Sequence, residues 1–288
     1  MIYDISQVTT YRYGSPVAHA RHVLRLTPID RAGQRVNAAA LDIEPAPVER
    51  REARDFFGNR ITTVMLEEPH EMLSVRVAAR IVVERGAQAA ATPPWEDVRE
   101  AAFVSADLSA LAPAHYLFPS RLVSLDPEIR DYAAESFPVG RPLLDGARDL
   151  MHRIKAEFTY EPGATTATTT PPMSFALRRG VCQDFSHVMI SGMRGLGLPV
   201  AYVSGYLRTA QPGAARLEGA DAMHAWVMAW CGGEAGWIGL DPTNDMLAGD
   251  DHVVLAIGRD YADVAPIDGV IVGGGGQKLE VSVRVMPL

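Results

Sequence analysis

The hydrophobic period of this 288-residue chain changes part-way along, and this change restricts the possible folds more than any other feature. Up to about residue 84 apolar residues recur at period two, as in ITTVML and LSVRVAARIVVE. The segment DFFGNR (55–60) supplies a turn between two such runs. Period two is typical of strands with one buried face, so residues 1–85 are expected to form an antiparallel β-domain.

From residue 126 the period becomes helical. Asp126 is expected to cap one helix with Pro127 at its first position, and apolar residues over 143–158 predict a second helix. A third helix is predicted from Cys182, followed by the strands VAYVSGYLRTA, HAWVMAW, GWIGLD and KLEVSVRV. Helices followed by strands, after a β-domain, predict an α+β fold.

The expected division of the chain has three parts. These are a β-rich domain (1–85), a linker (86–118) that begins at RGAQAAATPPW, and a core with the C-terminal strands (119–288). The stretch TYEPGATTATTTPP (159–172) interrupts the core and is expected to be a loop, either beside a site or simply solvated.

Charge and composition exclude several classes of function. The net charge of −8 argues against a partner nucleic acid or a polybasic membrane-binding surface. The first residues show no leader pattern, and no run of eighteen apolar residues occurs, so a cytoplasmic location is expected. Neither metal-ligand spacing nor a phosphate-binding motif is present, so no metal and no cofactor are expected.

Cys182 is one of two cysteines, and it lies at the start of the predicted third helix. The unpaired N–H groups and the positive dipole end of a helix N-terminus stabilise a thiolate there. The alternative is a buried cysteine that only packs, since free cysteine is among the most buried residue types. A nucleophilic role therefore requires a histidine partner, and His187 on the same helix is turned away from Cys182.

The candidate partner is His224, which begins the strand HAWVMAW. The Gly232-Gly233 dipeptide predicts a two-residue hairpin in which Cys231 pairs with Glu234. That register places His224 directly opposite Asp241, with Cβ atoms about 4.5 to 5.5 Å apart. The alternative is that His224 is an ordinary strand residue and Asp241 only starts the turn DPTN. A thiol, a base and an orienting acid together form the pattern of nucleophilic catalysis on a carbonyl.

Three stretches carry a family resemblance: LRRGVCQDFSHVMISGMRGLGLPVAYVSGYL (177–207), GADAMHAWVMAW (219–230) and GWIGLDPTND (236–245). With their order of Cys, His and Asp, they resemble the bacterial transglutaminase-like cysteine proteases of the papain-like superfamily. The first eighty or so residues resemble the β-rich N-terminal region that such bacterial proteins carry. The resemblance implies a core of helices packed on an antiparallel sheet, with Cys182 as nucleophile, His224 as base and Asp241 as orienting acid.

The resemblance also implies thiol-dependent chemistry on an amide bond of a peptide or protein substrate. Peptidase or amidase hydrolysis is expected, while acyl transfer from glutamine to an amine stays open, because both pass through one thioester. A non-catalytic binding module on the same scaffold is the other alternative.

Three further residues are candidates for lesser roles around this site. The backbone N–H of Cys182 is expected to contact the oxyanion, and Gln183 and Tyr160 are candidates for a second donor. Trp226 shares the face of His224 and is expected either to wall the site or to pack in the core. Cys231, in the predicted turn, is expected to be inert. The oligomeric state is not indicated by any sequence feature.

Overall fold

The computed structural model describes residues 1–86, 91–209, 217–220 and 222–288. Its strands are β1 (Ile2–Leu24), β2 (Gln34–Glu44), β3 (Glu49–Arg54), β4 (Arg60–Leu66), β5 (His70–Val83), β6 (Thr159–Tyr160), β7 (Arg179–Gly180), β8 (Val200–Leu207), β9 (His224–Trp230), β10 (Trp237–Asp241), β11 (Met246–Leu247), β12 (His252–Gly258), β13 (Ile267–Gly273) and β14 (Gln277–Pro287). Its helices are α1 (Trp95–Phe103), α2 (Pro127–Ala134), α3 (Leu143–Glu157), α4 (Pro171–Leu177), α5 (Cys182–Gly195) and α6 (Tyr261–Val264), with a 3₁₀ turn at Pro113–Tyr116.

The first sheet is antiparallel and is organised around the long strand β1. Its order is β2-β5-β1-β4-β3, and β13 and β14 also pair with β1. Alternate residues of β1 are buried, as period two requires, and the 55–60 turn between β3 and β4 is closed by the Gly58 N–H donating to the Asp55 carbonyl at 3.0 Å. The predicted N-terminal antiparallel β region is therefore confirmed.

The second sheet, of order β11-β10-β9-β8-β12, is packed against α5. One face of β8, β9 and β10 supplies Val200, Tyr202, Val227 and Leu240 to a core that includes Phe185 of α5. The helices predicted before it are also present, and Asp126 caps α2 by accepting from the Glu128 and Ile129 N–H groups. Helices on one face of an antiparallel sheet confirm the α+β fold.

The C-terminal strand pairs with a different sheet from the one expected, and the 86–118 segment has more regular structure than a linker. The KLEVSVRV strand pairs with β1 along Tyr3–Tyr13, so the end of the chain completes the first sheet. The 86–118 segment contains α1 and the 3₁₀ turn, and its residues 87–90 lie outside the described part of the chain. The division into domains at 85 and 118 stays a prediction.

None of the described helices is long and apolar enough to cross a membrane. The cytoplasmic location stays a prediction.

Candidate active site

Cys182 is the first residue of α5, and local contacts fix the start of that helix. Val181 has an extended backbone, and the Asp184 carboxylate accepts from the Val181 N–H at 2.8 Å while the Asp184 N–H donates to the Val181 carbonyl at 2.9 Å. The Thr165 hydroxyl donates to the same carboxylate at 2.7 Å. These bonds hold the free N–H groups of the first turn beside Cys182, which borders a cavity of about 280 Å³.

The hairpin that carries His224 and Asp241 does not have the predicted turn. Trp230 pairs with Trp237, so the two-residue hairpin at Gly232-Gly233 is wrong and the connection runs over 231–236. The Cys231 N–H donates to the Gly236 carbonyl at 2.7 Å, and Gly232 and Gly236 both have positive φ. Positive φ is thus needed at the two ends of a longer loop rather than at two adjacent residues.

The predicted register of β9 and β10 is wrong by two residues, but each side chain still lies on the predicted face of its strand. Val227 pairs with Leu240, and continuing by one residue sets Asp241 opposite Trp226 rather than opposite His224. A shift of two residues preserves the alternation of the strand, so His224 and Asp241 are diagonal neighbours on one face. His224 Nε2 lies 2.8 Å from Asp241 Oδ2, and both side chains are fully buried.

Asp241 is the most heavily hydrogen-bonded group of the site. Its Oδ1 accepts from the Thr243 and Asn244 backbone N–H groups at 3.0 and 3.2 Å, and its Oδ2 also accepts from Asn244 Nδ2 at 2.8 Å. Burial alone raises the pKa of a carboxyl, but the charge of His224 and the hydrogen bonds from His224 and His252 outweigh it and hold the pKa of Asp241 well below its usual range. Asp241 is therefore a carboxylate.

His252 is a second histidine on this carboxylate, and it was missed in the sequence. The Gly249 N–H donates to its Nδ1 at 3.3 Å, so Nε2 carries the proton and donates to Asp241 Oδ2 at 3.3 Å. Burial lowers the pKa of His252, which keeps it neutral. Only the strand pairing brings β12 to this point. The chain has eight histidines, and no sequence signal selects His252 among them.

His224 has one nitrogen bonded and one free. Nδ1 is buried and without a hydrogen-bond partner among the described residues. Burial works against a charged imidazole, but the Asp241 carboxylate and then the charge of Cys182 outweigh it and raise the pKa of His224 to about 10. The free nitrogen of a protonated imidazole is thus available near Cys182, and both residues line the same cavity.

A short segment over 217–220 covers the imidazole and was also missed. Asn244 holds it, since its Oδ1 accepts from the Glu218 N–H at 2.9 Å and its Nδ2 donates to the Glu218 carbonyl at 3.3 Å. Gly219 has φ of +83°, and a Cβ there would lie 2.5 Å from His224 Nδ1. A glycine is required because the backbone passes so close to the ring.

Tyr160 and Gln183, the candidates for a second oxyanion donor, have different surroundings. Tyr160 pairs with Gly180, two residues before Cys182, and it is half-buried; burial, with the charge of Cys182 next, raises its pKa to about 12. Gln183 lines the cavity, but its side-chain amide donates to the Ala167 carbonyl at 2.9 Å. That bond ties the threonine-rich loop to the start of α5.

Trp226 and Cys231 both belong to the core. The Trp226 ring stacks on His224 with centroids 6.1 Å apart, and the His252 ring meets it edge-on at 5.1 Å. Trp226 therefore backs the imidazole rather than lining the cavity. Cys231 is fully buried, and burial raises its pKa to about 12.

A cysteine at a helix N-terminus, facing a histidine and an aspartate on adjacent antiparallel strands, defines the papain-like class of folds. Residues 131–242 match the transglutaminase-like superfamily, and residues 3–83 match the bacterial transglutaminase-like N-terminal region. The chain belongs to the transglutaminase-like superfamily, in the branch that carries this N-terminal region.

Relatives of this chain match over nearly its whole length. An uncharacterized protein of Mycobacterium tuberculosis is 37% identical over 295 residues, which cover 99% of this chain and 92% of that protein. An uncharacterized protein of Mycobacterium leprae is 29% identical over 281 residues, covering 97% and 96%. The crystal structure of a candidate cysteine protease from Cytophaga hutchinsonii has a TM-score of 0.76 at 22% identity, covering 100% of this chain and 91% of that one, which shows a shared fold. The family resemblance in the sequence is confirmed.

Proposed function

We propose that this protein hydrolyses amide bonds of a peptide or protein substrate, with Cys182 as the nucleophile. The observation that carries the proposal is the state of His224, whose Nε2 is bonded to Asp241 while its free Nδ1 is on the side of Cys182. An imidazole oriented by a carboxylate and paired with a thiol is the arrangement that activates a nucleophile. Membership of the transglutaminase-like superfamily supports thiol-dependent chemistry in general.

The steps follow from the positions of these atoms. The Cys182 thiolate attacks the carbonyl carbon, and the backbone N–H of Cys182, in the first turn of α5, donates to the oxyanion. His224 Nδ1–H protonates the leaving amine as the thioester forms. The same nitrogen then accepts a proton from water, which attacks the thioester and releases the acid. Asp241 stays ionised throughout and keeps the proton of Nε2 in place.

We assign the second oxyanion donor to Tyr160 rather than Gln183. Tyr160 pairs with Gly180, two residues before Cys182, whereas the Gln183 amide is already bonded to the Ala167 carbonyl. Removal of one oxyanion donor typically lowers kcat by about 10² to 10³. We expect Tyr160→Phe to fall in this range and Gln183→Leu to lose less than about tenfold.

The test is turnover of a fluorogenic peptidyl amide library by the wild type and by Cys182→Ala, His224→Ala and the matched control Cys231→Ala. The proposal predicts turnover that only the first two variants abolish, with all variants folded by circular dichroism. A primary amine added to the assay separates the two fates of the thioester, since acyl transfer incorporates the amine and hydrolysis does not. Absence of turnover, together with Cys182 alkylation no faster than that of Cys231, would support a binding module instead.

A further inference from the structure

The first sheet forms one wall of the cavity beside Cys182. Thr9 pairs with Val281 and Tyr11 pairs with Leu279 across β1 and β14, and all four side chains line the cavity. Residues directly opposite on antiparallel strands share a face, so these two cross-strand pairs form a continuous surface. The C-terminal strand of the chain thereby reaches a site whose nucleophile belongs to α5.

Apart from Cys182 and His224, the described residues of the other walls are also uncharged. Tyr202 and Met223 come from the second sheet and the segment before β9, and Tyr261, Pro266 and Ile267 come from the segment that leads into β13. Among the described residues that line the cavity there is no aspartate, glutamate, lysine or arginine. Of these described lining residues, His224 alone carries a positive charge at neutral pH.

Two polar side chains of the first-sheet wall, Gln7 and Thr9, bond to each other. Gln7 Nε2 donates to Thr9 Oγ1 at 2.9 Å, and the Tyr206 hydroxyl donates to Gln7 Oε1. The Gln7 and Thr9 side chains of this wall are thus already hydrogen-bonded. A charged ligand group at this wall would lose its hydration without gaining an unpaired opposite charge, because the positive charge of His224 is already paired with Asp241. Such a loss costs several kcal/mol in general.

We propose that this cavity binds the acyl-side residue of the substrate, and that its side chain is uncharged and apolar, of the size of leucine or phenylalanine. The inference rests on the proposed function, because the acyl group stays bonded to Cys182 Sγ while the amine leaves. A cavity of about 280 Å³ lies just below the usual range of small-molecule sites, about 300 to 1,000 Å³. That space suits one large side chain rather than a longer segment.

The first test uses N-acyl aminoacyl chloromethyl ketones that carry leucine, phenylalanine, lysine or aspartate. The thiolate displaces chloride from the methylene carbon and forms a thioether at Cys182, so the second-order rate constant reports side-chain binding without a known substrate. We expect the leucine and phenylalanine reagents to react at least about tenfold faster than the lysine and aspartate reagents. Equal rates, or faster reaction of a charged reagent, would overturn the inference.

The second test places a carboxylate in the wall. Val281→Asp introduces it beside Thr9, and Val272→Asp is the matched control on the exposed part of β13, outside the cavity. Both changes remove a partly exposed valine from a strand, so they share any general cost to the sheet. We expect Val281→Asp to shift the lysine-to-leucine rate ratio by at least about tenfold and Val272→Asp to leave it unchanged. Equal shifts in the two variants would contradict the inference.

Failure of this inference differs from failure of the proposed function. If Cys182 reacts with all four reagents at similar rates and His224→Ala slows every one of them, the activated thiol stands and only the specificity inference is wrong. If no reagent modifies Cys182 faster than Cys231, the proposed function is wrong and the specificity inference fails with it.

Discussion

Replacing Asp241 by asparagine changes one oxygen to an NH₂ group, and the surrounding donors determine where that group goes. Oδ1 accepts from the backbone N–H groups of Thr243 and Asn244, which cannot reverse their direction. The amide oxygen therefore takes the Oδ1 position, and the NH₂ group faces His224 Nε2 and His252 Nε2. His224 can avoid a donor–donor contact only by moving its proton from Nε2 to Nδ1.

The expected losses follow from this tautomer. With Nδ1 protonated and Nε2 accepting, His224 can no longer take the proton of Cys182. The same change in a serine protease triad lowers kcat by about 10⁴, which at about 1.36 kcal/mol per tenfold is about 5.4 kcal/mol. His252 Nε2 and Asn244 Nδ2 also lose their acceptor in the core, at about 1 to 3 kcal/mol each. We therefore expect a loss of about 2 to 6 kcal/mol in the free energy of unfolding.

The assay measures turnover and Cys182 alkylation on the fraction of Asp241→Asn that is folded, with urea denaturation to measure stability. The control is Asp245→Asn, an acid near the surface whose carboxylate bonds His152 Nδ1 at 2.7 Å, outside the buried pair. The control should keep wild-type turnover. The reasoning is refuted if folded Asp241→Asn keeps turnover within about tenfold of the wild type, because the forced tautomer would then have no catalytic consequence.

Three further predictions concern Gly219 beside the imidazole, the charge of His224 and the N-terminal cap of α2. Gly219→Ala and Gly58→Ala both place alanine at positive φ, which costs about 1 to 2 kcal/mol in the free energy of unfolding. Gly58 faces open space, whereas a Cβ at Gly219 would meet the His224 ring, so only Gly219→Ala should reduce the turnover of the folded protein, and equal turnover of the two variants would contradict this. The pKa of His224 is raised from 6.5 to about 10, so its stabilising charge is complete below about pH 6.5 and is lost as pH rises toward 10. Urea denaturation should show a steeper loss of stability between about pH 7 and 10 for the wild type than for His224→Gln, and equal slopes would contradict this. Asp126→Ala should cost about 0.5 to 2 kcal/mol through loss of the α2 cap, whereas Asp131→Ala on the exposed side of α2 should cost little; similar losses would refute the capping role.

Local signals were sufficient to predict much of the fold. Period-two alternation predicted the first sheet, and Asp126 with Pro127 predicted the start of α2, because a helix cap depends on a few adjacent residues. The place of β14 was not predictable in this way. Its alternation predicts a strand, but whether that strand joins β1 or the second sheet depends on contacts more than 250 residues apart in the chain, such as Tyr3 with Pro287.

The pairing of His224 with Asp241 was expected for a partly wrong reason. The glycine pair at 232–233 predicted a tight turn, whereas the loop is longer and the register is shifted by two residues. The prediction survived because strand alternation has period two, so an even error keeps both side chains on one face. No comparable local rule predicted the positions of His252 and Gly219. Their places beside Asp241 and His224 depend on tertiary packing, which no local spacing encodes.

The measurement that tests the central claim most directly is the alkylation rate of Cys182 between about pH 5 and 9, read by mass spectrometry in the wild type and in His224→Ala. Cys231 in the same chain is the internal reference, since it is buried and its pKa is raised to about 12. We predict that Cys182 reacts well below pH 7, much faster than Cys231, and that His224→Ala removes this low-pH reactivity. Reaction of Cys182 at the rate of Cys231, or low-pH reactivity that persists in His224→Ala, would contradict an activated thiol at this site.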